Sequence, residues 1–145
     1  MSATILVVED GADIMLTIRL TLRAEGYEVM GVTSGEAALE IFADCPPDVT
    51  VLDVALPGID GLEVVRRLRK DAKHRNARII ITSAHASGHV RLLTDALGCE
   101  YLTKPFSTKE LAATVAAALS HREDAEETAR DPSALNDPLS ARAAP

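Results

Sequence analysis

Three carboxylates, a hydroxyl and an ammonium stand where short apolar runs of this sequence end. Glu9 and Asp10 follow Thr4–Val8, Asp53 closes Val49–Asp53, Ser83 lies near the end of 78–84, and Lys104 near the end of 100–105. If those runs are parallel strands, all five side chains leave the sheet at one edge, where open α/β sheets bind ligands. Crowded carboxylates repel one another, and a hard divalent cation with oxygen ligands removes that conflict. A lysine supplies a point positive charge and a serine a hydrogen-bond donor. With Mg²⁺, these suit the oxygens of a phosphoryl group in transfer. No histidine stands at a strand end as general base, and there is no glycine-rich phosphate loop. A carboxylate is left as nucleophile, and aspartate can accept a phosphoryl group covalently. Of the three acids, Asp53 is the one on an expected central strand with no acidic neighbour beside it. Taken alone it could equally be a helix N-cap or a metal ligand.

The elements that must position these groups follow from hydrophobic spacing. Thr4–Val8 and Val49–Asp53 are short, β-branched and bounded by turn residues, which predicts buried strands; 27–32 predicts a weaker strand nearer an edge. The stretch 12–25 has Ile14, Ile18 and Leu22 one helical turn apart, with Gly26 as its stop. Thr33-Ser34-Gly35-Glu36 has the form of a capping box, opening a helix with Ala37, Ala38, Ile41 and Phe42 on one face. After Asp53, Pro57-Gly58 turns the chain towards Asp60, an N-cap with Glu63 three residues on. Leu62, Val65 and Leu68 then form the buried face, and Arg66, Arg67, Arg69 and Lys70 a solvated basic one. The strand at 78–84 precedes a helix marked by Val90, Leu93 and Leu97 and stopped at Gly98. The strand 100–105 ends at Pro105. Ser107-Thr108-Lys109-Glu110 is a second capping box, before a helix with Leu111, Val115 and Leu119. Strand and helix alternate five times over short connections. The expected fold class is therefore α/β, a doubly wound parallel sheet flanked by helices.

Size and composition narrow the function. The chain has 145 residues, the length of one domain. Its apolar content of 47% with 3% aromatics predicts one aliphatic core. A net charge of −7 argues against gripping nucleic acid through a basic surface, which needs clustered lysine and arginine. Cys45 and Cys99 have no metal-site or redox spacing, no signal peptide is visible, and no run is long enough for a membrane span. These features predict reduced thiols and a cytoplasmic protein with no membrane partner. Beyond His121 the pattern dissolves into acids, arginines and prolines. The expectation is one domain over 1–122 and a polar, disordered tail over 123–145, with the last helix running on to about Arg130.

Val8-Glu9-Asp10, Leu52-Asp53 with Leu56-Pro57-Gly58-Ile59-Asp60-Gly61, Thr82-Ser83-Ala84 and Tyr101-Leu102-Thr103-Lys104-Pro105-Phe106 occur in that order, each at a strand end. Over roughly residues 4–121 the chain resembles a response-regulator receiver domain of two-component signalling, in its stand-alone, chemotaxis-receiver-like form. The resemblance implies a five-stranded (βα)5 flavodoxin-like sheet in the order 2-1-3-4-5. It implies Asp53 as phosphoacceptor. Mg²⁺, with Mn²⁺ as substitute, would be held by Asp10, Asp53 and the backbone carbonyl of Ala55, and by Glu9 through water. It implies Ser83 and Lys104 as the phosphoryl contacts, Ser83 and Tyr101 as the switch pair, and a cis Lys104–Pro105 bond. The implied partners are a sensor histidine kinase or histidine phosphotransfer protein and a downstream protein, with a homodimer through the helix 4–strand 5–helix 5 face. Catalysis would be limited to the chain's own phosphorylation and autodephosphorylation. Ala55 and His85 stand where the family tunes phosphoryl lifetime, and Gly11 replaces a residue that is often polar.

Rival readings fare worse. A flavin carrier would place Glu9 and Asp10 against its phosphate. A haloacid-dehalogenase-type phosphatase needs a second acid two residues after the first, where this chain has Ala55. A P-loop enzyme needs G-x-x-x-x-G-K-[ST], which is absent. Two alternatives stay open: a phosphorylation-independent receiver-fold interaction module, and the receiver part of a larger regulator. The small residues at 86–88 suggest a mobile fourth helix.

Overall fold

The computed structural model describes the backbone of residues 2–84 and 88–130, and side chains of that set up to Ser120. Five strands and five helices alternate: β1 (Thr4–Val8), α1 (Ala12–Ala24), β2 (Glu28–Val32), α2 (Gly35–Asp44), β3 (Val49–Asp53), α3 (Gly61–Lys70), β4 (Ile79–Ser83), α4 (Gly88–Ala96), β5 (Glu100–Thr103) and α5 (Thr108–Arg130). All strand pairings are parallel, in the order β2-β1-β3-β4-β5. This is the expected flavodoxin-like α/β sheet. Of the small residues at 86–88, 86 and 87 lie outside the described residues, as does His85, and Gly88 is the first residue of α4. Of the segment expected to be a tail, 123–130 belongs to α5, and 131–145 lies outside the described residues.

Alternation along the strands divides the core into two layers. Ile5, Val7, Val49, Val51 and Ile80 face α1 and α5, where Ile18, Leu22, Leu111 and Val115 close over them. Leu6, Val8, Leu52, Ile79 and Ile81 face the opposite way, against Ala38 and Phe42 of α2 and Val64, Val65 and Leu68 of α3. Strands covered on both faces read as continuous apolar runs, which is why β1, β3 and β4 stood out in the sequence. β2 is an edge strand and only half covered.

Several local readings need correction. Ile14 is 39% exposed, and Met15 joins Ile18 and Leu22 against the core instead. Thr33 is not the cap of α2. Ser34 is, its hydroxyl accepting from the Ala37 amide at 3.1 Å. This frees Glu36 from the box, and its carboxylate accepts from the Ile59 amide at 3.2 Å, across to the β3–α3 loop. Gly58, at φ +74°, leaves room for that contact; a Cβ there would stand 2.7 Å from Glu36 Oε2. The loop after Asp53 is thereby tied to α2. Glu36→Ala is expected to cost about 1 kcal/mol of stability. Glu36→Gln, which keeps an acceptor oxygen, should stay nearer wild type in urea midpoints.

Arg69 does not belong to a solvated basic face. Its guanidinium donates to the carbonyls of Leu97 (2.8 Å), Ala77 (2.9 Å) and Arg75 (3.1 Å), binding the end of α3 to the turn after α4. Cys99 lies beside it, buried and unpaired in any disulfide. Burial pushes its thiol pKa up, Arg69 opposes this, and Glu100 adds to it. Asp60 caps α3 as expected, accepting from the Glu63 amide at 2.8 Å. Ser107 Oγ accepts from the Glu110 amide at 3.0 Å, as the second capping box requires, but the Glu110 carboxylate accepts from the Ser107 hydroxyl at 3.3 Å and not from its backbone amide. No helix among the described residues is long and apolar enough to cross a membrane.

Candidate functional site

Asp53 ends the central strand β3, with β1 on one side and β4 on the other, and is buried with 5% exposure. The register sets Leu52 beside Val8 and Asp53 beside Thr82, so the ends of the three strands lie level. Glu9, one residue past β1, is therefore brought to Asp53 and is equally buried, while Asp10 points outward and is exposed. One carboxylate oxygen from each of Glu9, Asp10 and Asp53 lies within 4.8 Å of the other two.

Lys104 follows β5 at the sheet edge and reaches over β4 to the same point. Its ammonium donates to Glu9 Oε1 at 2.5 Å and to Asp53 Oδ2 at 2.9 Å. Burial works to lower the Lys104 pKa. The hydrogen bonds from Glu9 and Asp53, with the charges of both carboxylates, outweigh it and hold the pKa above its ordinary value. The remaining oxygens are held by backbone: Asp53 Oδ1 accepts from the Ala55 amide at 3.1 Å, and Glu9 Oε2 from the Gly11 amide at 3.0 Å. Gly11 thus braces Glu9. The Lys104 amide donates to the Ser83 carbonyl at 2.8 Å, which fixes the backbones of the two residues together. The Lys104–Pro105 bond is cis, as the resemblance implied.

Ser83 closes β4, buried, one strand over from Asp53. Tyr101 is half-buried on β5, paired in register with Ile81, and packs with the α2–α3 layer. Ala55 is exposed on the β3–α3 loop. The fold thus joins Glu9 and Asp53 directly to Lys104, brings Asp10 within 4.8 Å of the two acids, sets Ser83 on the neighbouring strand, and places Tyr101 on β5. One contact escaped the sequence reading: the Arg91 guanidinium of α4 lies over the Tyr101 ring, 5.1 Å from its centroid. Nothing in linear spacing ties a helix arginine to a residue in the next strand. A cleft of about 430 Å³, walled by Ile14, Thr17, Ala84, Pro105 and Phe106, opens beside Lys104.

The donor set fits a hard divalent cation: three carboxylates, all oxygen, two of them buried, and no histidine or thiolate among them. Two of the acids share the single Lys104 ammonium, so three carboxylates against one cation leave the cluster a formal surplus of two negative charges to attract a divalent cation.

Known structures share this architecture. A protein described as a response regulator from Chloroflexus aurantiacus J-10-fl is 33% identical, with a TM-score of 0.79 over 83% of this chain and 99% of that one. The chemotaxis response regulator CheY4 of Vibrio cholerae is 28% identical, with a TM-score of 0.77 over 82% and 100%. The receiver domain of the Francisella response regulator 1452 is 30% identical, with a TM-score of 0.77 over 83% and 99%. The family profile described as the response regulator receiver domain matches residues 5–116, from β1 into α5 and across every residue of the acidic cluster. The chain belongs to the response-regulator receiver-domain family of two-component signalling.

Proposed function

We propose that the chain accepts a phosphoryl group from a phosphohistidine donor onto Asp53 and signals through the face formed by α4, β5 and α5. Receiver domains as a family interact with histidine kinases or phosphotransfer proteins. The observation that carries the reading is the bracing of Asp53: Oδ1 on the Ala55 amide and Oδ2 on Lys104, with Glu9 and Asp10 within metal-sharing distance.

In this reading one Asp53 oxygen attacks the phosphorus. The bond to the donor imidazole nitrogen breaks, and the imidazole leaves and takes up a proton. Asp10, Asp53, the Ala55 carbonyl and, through water, Glu9 would hold Mg²⁺, which when bound supplies charge neutralisation for the phosphoryl oxygens. Lys104 stands ready to turn from the carboxylates to a phosphoryl oxygen, and Ser83 offers its hydroxyl from the next strand. As those two move inward, Tyr101 follows, and its packing under Arg91 carries the change to α4 as a population shift. The cleft beside Lys104 gives a donor side chain an open approach. A homodimer through the α4–β5–α5 face and a cytoplasmic location belong to the same reading.

The test is incubation with Mg²⁺ and a small-molecule phosphodonor, followed by intact-mass spectrometry. Wild type should gain one base-labile phosphoryl group, and Asp53→Asn or omission of Mg²⁺ should abolish the gain. Equal labelling of Asp53→Asn would refute Asp53 as the acceptor, and a wild type that gains no phosphoryl group would leave a phosphorylation-independent interaction module.

A further inference from the structure

We infer that α1 carries a second interaction surface, separate from the phosphorylation site, that pairs with the α1 of another copy in antiparallel orientation. Leu16 and Leu20 are each 57% exposed, whereas Ile18 and Leu22 on the same helix are 1% and 0%. At about 100° per residue, Leu16 and Leu20 project nearly opposite to the buried Met15–Ile18–Leu22 stripe, straight out from the domain. Two adjacent leucines on the outward side of a helix serve no purpose in the core. Their neighbourhood supplies the identity of the occupant. Asp13, Leu16, Leu20 and Arg23 are spaced three, four and three residues apart, the seam of a helix that packs on another helix.

That seam is self-complementary about Ile18. A two-fold axis there brings Leu16 against Leu20 of the second copy, exposed Asp13 against its exposed Arg23, and Ala12 against its Ala24. The leucines meet in the centre, an ion pair closes each end, and alanines allow close approach. Parallel pairing would instead set Asp13 on Asp13 and Arg23 on Arg23, so charge fixes the orientation. The cleft beside Lys104 shares Asp13 but otherwise uses Ile14, Thr17 and Ile18 on other sides of the helix. A single helix pair of this length buries less than the roughly 1,200 Å² of a standard interface, so the association is weak and concentration-dependent.

Sedimentation equilibrium on the full chain tests this at protein concentrations up to about 1 mM, with circular dichroism to confirm that each variant is folded. Wild type should move from monomer to dimer across that range. Leu16→Glu/Leu20→Glu should stay monomeric. Asp13→Arg should weaken dimerisation at least about tenfold, because the two-fold applies the reversal twice. Asp13→Arg/Arg23→Asp should recover it. A wild type that is monomeric throughout overturns the inference. So does a dimer indifferent to the leucine changes, whose contact would then lie on another face such as α4–β5–α5. A double reversal no tighter than Asp13→Arg alone overturns it as well.

Discussion

Lys104→Ala should destabilise the protein by about 3 kcal/mol in the absence of divalent cations, because it strands two buried carboxylates. Lys104 is the cation that reaches Glu9 and Asp53, whose side chains are 3% and 7% exposed. With the ammonium gone, neither acid can recover water without opening the sheet edge. The loss should be partly reversed by Mg²⁺, whose charge takes over the neutralisation, so that the variant gains more stability from Mg²⁺ than wild type does. Urea unfolding of both proteins with and without Mg²⁺ measures this. Equal midpoints, or a variant insensitive to the cation, would show that Lys104 is not the counter-charge of the cluster. The pair also carries a pH signature. The Lys104 pKa is raised on folding, so its stabilisation is fully present below the unfolded value of about 10.4 and is lost as pH rises through the folded value. The gap between wild type and Lys104→Ala should therefore hold constant up to about pH 10 and narrow only above it, with wild type losing the difference.

Gly61→Ala should cost about 3 kcal/mol or more, although it adds a single methyl group. Gly61 opens α3 directly over the end of β3, its amide donating to the Val54 carbonyl at 2.9 Å. A Cβ would strike the Asp53 carbonyl oxygen and stand 3.0 Å from Val54 Cα. Both obstacles are backbone and cannot swing aside as a side-chain tip can. Either α3 lifts off its Leu62–Val65–Leu68 contacts or the end of β3 shifts, and the second outcome moves Asp53 itself. Thermal unfolding gives the stability loss, and phosphodonor labelling tests whether Asp53 is displaced. A variant within about 0.5 kcal/mol of wild type would mean that the approach of α3 to β3 is looser than this structure has it.

The chain order of elements was legible because β1, β3 and β4 are continuous apolar runs and the glycines at 26 and 98 end their helices at positive φ. The site was legible for a related reason. Parallel strands bring their ends to one edge, so Glu9, Asp10, Asp53, Ser83 and Lys104 could be placed together from their order alone. What periodicity could not show was decided in three dimensions. Ile14 and Met15 are both apolar, and only the angle at which α1 lies on the sheet selects Met15 for the core. Glu36 fits a capping box by spacing, yet Ser34 takes the cap and Glu36 crosses to the β3–α3 loop. Arg69 looks solvated on a helical wheel, but the carbonyls at 75, 77 and 97 belong to segments that the wheel does not contain. The packing of Arg91 on Tyr101 likewise joins elements whose closeness depends on the sheet, not on the local sequence.

The two-layered core has a kinetic consequence for Asp53. β1, β3 and β4 are sealed by helices on both sides, whereas β2 is partly open and β5 is short. In hydrogen exchange, amides of the edge strands can open by local fluctuation, and those of β3 should exchange only when the whole domain comes apart. Asp53 is thus anchored in the slowest-opening segment, while Lys104 hangs from the faster edge. Any rearrangement of the acidic cluster begins from the lysine side, with the aspartate as its fixed point.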